Sequence, residues 1–345
     1  MGETVEVIVD PFTQEKLPLR LPLEYGRDPS SARQSMGLAD YVDVTDPIIA
    51  RAVGILHGLA QELPGHPIAL LGGVAFRFRS PTSNSLSSGL RRPLHDIDIS
   101  CHHSDAKKVH SALLALGPKH GSALSIVETH ADRMFNALMG GRRLRLHNVN
   151  QVVDGRCVLG TIDVLADEFR FCHNMNLKSD IADAPKDGHT LNLSTLLLSK
   201  LQFIQSIPAE HQDQVPGRVL GPFGKRELII GPEDKDVRDV LALLIDRPLG
   251  EGFGQISTAR FVEPLKGDWG FWTTVRLNLD HLCKSPLFEG LPPEWQATLR
   301  PRIEALRAAT DQVQPRRRFG FLQREWWEPV ESLGATTPPP APSKE

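Results

Sequence analysis

The chain has 345 residues, 40% hydrophobic and 23% charged, which predicts an ordinary folded protein with room for two domains or one large one. Its 39 Lys and Arg against 42 Asp and Glu leave a formal charge of -3, so bulk electrostatics neither marks nor excludes a nucleic-acid partner. Cys101, Cys157, Cys172 and Cys283 lack the short paired spacing of a zinc site or disulfide framework, and no apolar run approaches the roughly 20 residues of a membrane span. These features, with acids scattered among the valines of Met1 to Asp10 where a signal peptide would be apolar, predict a cytoplasmic protein without a membrane partner.

Residues 1–45 mix short extended runs with Pro, Gly, Asp and Ser and read as an N-terminal arm. Ile48 to Leu63 has helical periodicity, with Ile49, Val53, Leu56 and Leu59 or Ala60 on one stripe. After Pro64-Gly65-His66-Pro67, Ile68 to Leu71 reads as a buried strand stopped by Gly72-Gly73, followed by a brief helical turn through Val74-Ala75-Phe76. Pro81 and Thr82-Ser83-Asn84-Ser85 predict a loop, and Leu94 to Ser100 a strand. A helix over Ala106 to Leu116 and strands at 125–128, 144–147 and 157–165 complete a small mixed α/β domain, 46–185.

The region 186–332 reads as mainly helical. Leu193 to Ile204 is a helix capped by Asn192 or Ser194, and Glu233 to Ile245 is another. The Pro-, Gly- and Gln-rich stretch between them, 208–231, reads as a long loop or irregular insert. Pro301 to Thr310 is a helix with its proline in the first turn. The proline-rich end, 333–345, is expected to be a disordered tail. The fold class expected is therefore α+β, a mixed sheet with flanking helices followed by a mainly helical region.

The chemistry concentrates in two apolar runs that carry acids, His95-Asp96-Ile97-Asp98-Ile99 and Thr161-Ile162-Asp163-Val164-Leu165. Strand alternation sends Asp96 and Asp98 to one face and the isoleucines to the other, and sets Asp163 opposite Ile162 and Val164. Unpaired carboxylates inside a sheet are costly, so the three need solvent or a shared cation. Converging carboxylates suit Mg2+ or Mn2+, hard ions that keep coordination sites for phosphate oxygens. A solvated strand end with chance acids is the bland alternative.

Gly72-Gly73 after a buried strand permits a close backbone approach to a phosphate, although a plain turn explains two glycines equally well. No Gly-Lys-Ser or Gly-Lys-Thr follows, which excludes a P-loop. Lys200 shares its helix face with Leu193, Leu197 and Ile204 and so points inward, where its ammonium needs phosphate or carboxylate oxygens unless it snorkels to a domain edge. Asp236 and Asp239 flank the apolar stripe of the later helix; Asp236 could fix Lys200, either could act as a base, or both could simply stabilise a helix N-terminus. Arg91-Arg92, Arg142-Arg143 with Arg145, and Arg316-Arg317-Arg318 beside Phe319 and Phe321 are groups able to hold a polyanion, the last reading more simply as a solvated turn.

A double glycine after a strand, Arg92 four residues before Asp96-x-Asp98, and Asp163 on a strand of its own resemble the nucleotidyltransferase superfamily. Lys200 followed by Lys235-Asp236-x-x-Asp239 is similar to the nucleotidyltransferase toxins of type IV abortive-infection systems, a toxin–antitoxin class, and to their tRNA-modifying relatives. The resemblance covers Ile68 to Ile245. It implies a nucleotidyltransferase-like fold, with Asp96, Asp98 and Asp163 binding Mg2+ or Mn2+ and Asp163 as third ligand or base. Gly72, Gly73 and Arg92 would contact the phosphates of a nucleoside triphosphate, Lys200 would grip the triphosphate, and Asp236 would be a catalytic or supporting acid.

The reaction implied is attack of an acceptor hydroxyl, on tRNA or another RNA, at the α-phosphorus with release of pyrophosphate; a cognate inhibitory antitoxin is an implied partner. Transfer to a protein or small molecule, and a non-catalytic nucleotide-binding module, stand as alternatives. Two features depart from the family pattern: Pro81 and the Ser/Asn-rich stretch after it would loosen the expected phosphate site, and Val74 stands where Ser or Thr is usual.

Overall fold

The computed structural model describes residues 6–9, 16–19, 29–119, 126–153, 156–186, 188–206, 219–220, 227–230 and 232–315. Its centre is a five-stranded mixed sheet built from β1 (Ile68–Leu71), β2 (Asp96–Cys101), β3 (Ile126–Val127), β4 (Arg143–Val153) and β5 (Arg156–Ala166), in spatial order β1-β2-β5-β4-β3. Only β2 and β5 run parallel; the other neighbours are antiparallel. All four residues of β1 are buried, as expected of a strand covered on both faces. Beyond β1, Leu70 exchanges backbone hydrogen bonds with His189 and Leu191, extending the sheet edge by one bridge.

Helix α1 (Pro47–Glu62) starts where the Asp46 carboxylate accepts from the amides of Ile48 and Ile49, and its stripe of Ile49, Val53, Leu56 and Leu59 is buried. Ala60 is exposed, so Leu59 closes that stripe. Helix α2 (Gly72–Arg79) is longer than the turn expected at Val74–Phe76 and begins at the first glycine, because every one of its residues packs inside. Pro81 opens a further short helix, Pro81–Asn84, capped by Ser80. The expected loose loop is tied down there: Asn84 donates to the carbonyls of Arg77 and Ser80. Helix α3 (Ala106–Lys119) matches its periodicity, whereas α4 (His130–Leu138), held by a Thr129–Asp132 capping box, was not anticipated.

Helix α5 (Leu193–Leu201) has the expected Asn192 cap but stops three residues early. The reason is tertiary: the Asn278 amide donates to the carbonyls of Leu201 and Phe203, and Ile204–Ser206 turns into a strand pairing with Glu227–Ile230. Val219–Leu220 adds to the same small sheet, so the described part of 208–231 is strand rather than loop. Helix α6 (Asp234–Asp246) follows, then α7 (Trp269–Leu282), missed in the sequence, and α8 (Pro293–Gln312). Pro293, not Pro301, sits in the first turn of α8; Pro301 lies inside the helix, where it removes one donor from the ladder. Arg302 of α8 closes the C-terminal end of α6 by donating to the carbonyls of Leu244, Ile245 and Arg247.

One hydrophobic cluster runs through these elements, from Ala32 through the sheet to Leu306. Fully buried Phe76, Phe261, Phe271 and Phe288 contribute about 1.5–3 kcal/mol each on the usual transfer scale. Before α1 the chain forms a hairpin, Glu6–Val9 with Lys16–Leu19, and a helix, Pro29–Ser35. The Arg316–Arg318 group and the tail expected at 333–345 lie outside the described residues. No helix among the described residues is long and apolar enough to cross a membrane.

Candidate active site

The alternation of β2 holds: Ile97 and Ile99 are buried on one face, and Asp96 and Asp98 take the other, Asp96 exposed at the strand start and Asp98 half-buried. The parallel pairing sets Asp98 against Asp163 and Asp96 against Thr161. Two carboxylates thus stand side by side on adjacent strands at the middle of the sheet, and Asp96 lies one row further along the same face. Across the next pairing, Arg145 is opposite Asp163 and His147 opposite Thr161. Arg143, Arg145 and His147, two residues apart on β4, share that face.

Gly72 makes room for the acid. Its φ is +65°, and a Cβ there would lie 1.8 Å from Asp98 Oδ2. A Cβ at Gly73 would meet Arg92 Nη2 at 2.3 Å. The glycines therefore bring the start of α2 against one carboxylate and one guanidinium, a close approach that a Cβ would prevent.

Asp163 is held by two arginines. Arg143 Nη2 donates to Oδ2 at 2.7 Å and Arg145 Nε to Oδ1 at 3.3 Å. Phe135 lies under both guanidinium groups, 5.6 Å from Arg143 and 4.6 Å from Arg145, and Phe171 adds a second face to Arg143 at 5.1 Å. By contrast, neither Asp96 nor Asp98 forms a salt bridge to any described residue. Burial, then the charges of Asp96 and Asp163, push the Asp98 carboxyl well above the ordinary aspartate range, against weaker opposing pulls from Lys200 and Arg143.

Lys200 points inward as its spacing predicts, and its partners are carboxylates. Its Nζ lies 2.7 Å from Asp236 Oδ1 and 3.5 Å from Asp239 Oδ2. Asp239 in turn receives Arg92 through two bonds, Nε to Oδ1 at 3.0 Å and Nη2 to Oδ2 at 2.8 Å. The result is a buried, charge-balanced square of two cations and two anions joining α5, α6 and the segment before β2. Burial works against the charged Lys200, and Asp236 followed by Asp239 outweighs it, leaving the ammonium more basic than a free lysine. Behind the square, Arg77 is 2% exposed and donates to the Arg92 carbonyl at 2.7 Å. Burial, then Arg91, brings its pKa down to about 10.

The structure thus gathers Gly72, Asp98 and Asp163 into one cluster with Asp96 at its rim, and Gly73, Arg92, Lys200 and Asp236 into an adjoining one. Fixing Lys200 is one of the roles the sequence leaves open for Asp236, and the 2.7 Å contact is that arrangement. The sequence did not join Arg143 and Arg145 to Asp163, although their i, i+2 spacing on a strand carries that signal. It also missed the pair His147 Nδ1–Asp132 Oδ2, 2.8 Å apart, in which Asp132 is 2% exposed.

As the side chains stand, no group of three or more His, Cys, Asp or Glu among the described residues is arranged to hold a metal ion. The cause is visible in the contacts: the oxygens of Asp163 face arginines, and Asp96 points to solvent. The donor set itself suits a hard cation, because the carboxyl oxygens of Asp98 stand beside Asp163 with no salt bridge to any described residue. Comparison of the chain with protein-family models, curated proteins and solved structures returns no match.

Proposed function

We propose that the protein is a metal-dependent nucleotidyltransferase of nucleotidyltransferase-like fold, which transfers a nucleotide from a nucleoside triphosphate to an acceptor hydroxyl with release of pyrophosphate. The observation that carries this reading is the in-register pair Asp98–Asp163 on parallel strands, with the Asp98 carboxylate seated against Gly72 at the start of α2. Mg2+ or Mn2+ would be held by Asp98, Asp163 and Asp96, and supplies charge stabilisation at the phosphoryl oxygens. Asp163 would be the third metal ligand or the base, and Gly72 and Gly73 admit the phosphates close to the backbone. Lys200 and Arg92, locked onto Asp236 and Asp239, set the wall of the site, with Asp236 as the supporting acid.

RNA, tRNA first, is the acceptor proposed, and an inhibitory antitoxin partner belongs to the same reading; both rest on the resemblance of the Lys200 and Lys235-Asp236-x-x-Asp239 elements. The test is incubation of the purified protein with each α-labelled nucleoside triphosphate, Mg2+ and total RNA or total protein. Label entering RNA, and lost in Asp98→Ala, supports the reading; full labelling by a folded Asp98→Ala protein overturns the mechanism.

A further inference from the structure

Resting on the reading above, the cationic side chains of this site divide into two kinds. Lys200 and Arg92 are already matched one for one by Asp236 and Asp239. Arg143 and Arg145 instead place two positive charges on the single carboxylate of Asp163. Each guanidinium has five N–H donors and uses one nitrogen on that carboxylate. Arg143 Nε is buried without a hydrogen-bond partner among the described residues. Phe135 and Phe171 fix the planes of the guanidinium groups and neutralise neither. Both side chains are 17% exposed, so the two guanidinium groups are largely shielded from open solvent.

We infer that Arg143 and Arg145 are the phosphate-binding pair of this site, and that they cover Asp163 until a metal-bound triphosphate replaces it as their partner. The chemistry is an exchange of ion pairs with no bond broken: arginine leaves carboxylate for phosphate oxygens, and the freed carboxylate takes the cation. Guanidinium N–H donors pair with carboxylate and phosphate oxygens alike, so the same two side chains can serve either anion. The ligand class is a polyphosphate, through its terminal phosphates.

The inference makes metal and arginine competitors for Asp163 and collaborators once polyphosphate is present. The experiment measures Mn2+ binding from the free-ion electron paramagnetic resonance signal and inorganic tripolyphosphate binding by calorimetry, with and without Mg2+, on the full chain. In R143Q/R145Q, Mn2+ alone should bind about tenfold tighter and Mg2+-tripolyphosphate about tenfold weaker, and R143K/R145K, which returns the charge without the planar group, should recover only part of the latter. In D163N the released arginines should bind metal-free tripolyphosphate about tenfold tighter than the parent does. This variant keeps a hydrogen-bond acceptor for Arg143 and serves if R143Q/R145Q fails to fold. Unchanged or weaker Mn2+ binding in folded R143Q/R145Q, or unchanged tripolyphosphate binding in D163N, overturns the inference. A parent chain that binds neither Mn2+ nor tripolyphosphate overturns the nucleotidyl-transfer reading as well; a parent that binds both, with variants indistinguishable from it, overturns this inference alone.

Discussion

The carboxylate of Asp98 fills the space that a side chain at residue 72 would occupy: a Cβ on Gly72 would stand 1.8 Å from Oδ2. Strand β2 and helix α2 are thereby locked at a separation only glycine permits. Gly72→Ala should displace Asp98 and also place alanine at φ +65°, which costs about 1–2 kcal/mol by itself. A shift of one ångström at a reacting group can cost about a hundredfold in rate, so under the proposed function nucleotide transfer should fall by that order while the fold persists. Gly73→Ala is the contrast, because its conflict is with the ends of the Arg92 and Leu94 side chains, and it should retain more activity. Turnover and thermal midpoint of the two variants check both statements; equal losses would remove the special role of Gly72.

Asp98 should make stability fall with rising pH. Its folded pKa is raised by burial and by Asp96 and Asp163, so its contribution is fully present below the unfolded value of 3.8 and is lost as pH rises through the folded pKa. Asp98→Asn removes the carboxylate and should therefore be more stable than the parent at pH 7, with the difference vanishing toward pH 3.8 and below. Urea unfolding across that range measures it. An Asp98→Asn protein less stable than the parent at neutral pH would contradict the electrostatic account.

Lys200→Met leaves Asp236 buried opposite a thioether and should cost about 3–5 kcal/mol. Lys200→Met with Asp236→Leu removes one charge of each sign and leaves Arg92–Asp239 balanced, so most of that loss should return. Equilibrium unfolding of the two single variants and the double variant forms the cycle; additive losses would mean that the contact carries no coupling.

Asp246, the last residue of α6, accepts from Ser80 Oγ, from Thr82 N at 2.9 Å and from Thr82 Oγ1 at 2.7 Å. These bonds fasten the segment that follows α2 to the helix carrying Asp236 and Asp239. Asp246→Ala should cost roughly 2–4 kcal/mol and loosen residues 80–84. Hydrogen exchange at the Thr82 amide is the direct readout, and unchanged protection there would refute the fastening role.

The residues of the candidate site are legible in the sequence because their signals are local. Gly72-Gly73 after an apolar strand, acids alternating with isoleucine, and a lysine at apolar helical spacing each break a pattern within a few positions. The joins between them were not legible. Whether Lys200 met a phosphate or a carboxylate depended on α6 arriving 36 residues later, and the end of α5 depended on Asn278, 77 residues beyond Leu201. Pro301 misled for the complementary reason: helix packing against α6 and α7 holds a proline in an interior that local propensity alone would reject.

Strand alternation by itself determined that Asp96 and Asp98 share a face and that Asp163 stands opposite its apolar neighbours, because a pleated strand reverses its side chains at every residue. It could not determine which strands lie together or in what register. Only the tertiary structure set Asp98 beside Asp163, gave Asp163 to Arg143 and Arg145, and closed Lys200, Asp236, Asp239 and Arg92 into a balanced square. Those pairings rest on chain segments tens of residues apart, whose meeting is decided by burial of a common core rather than by any local pattern.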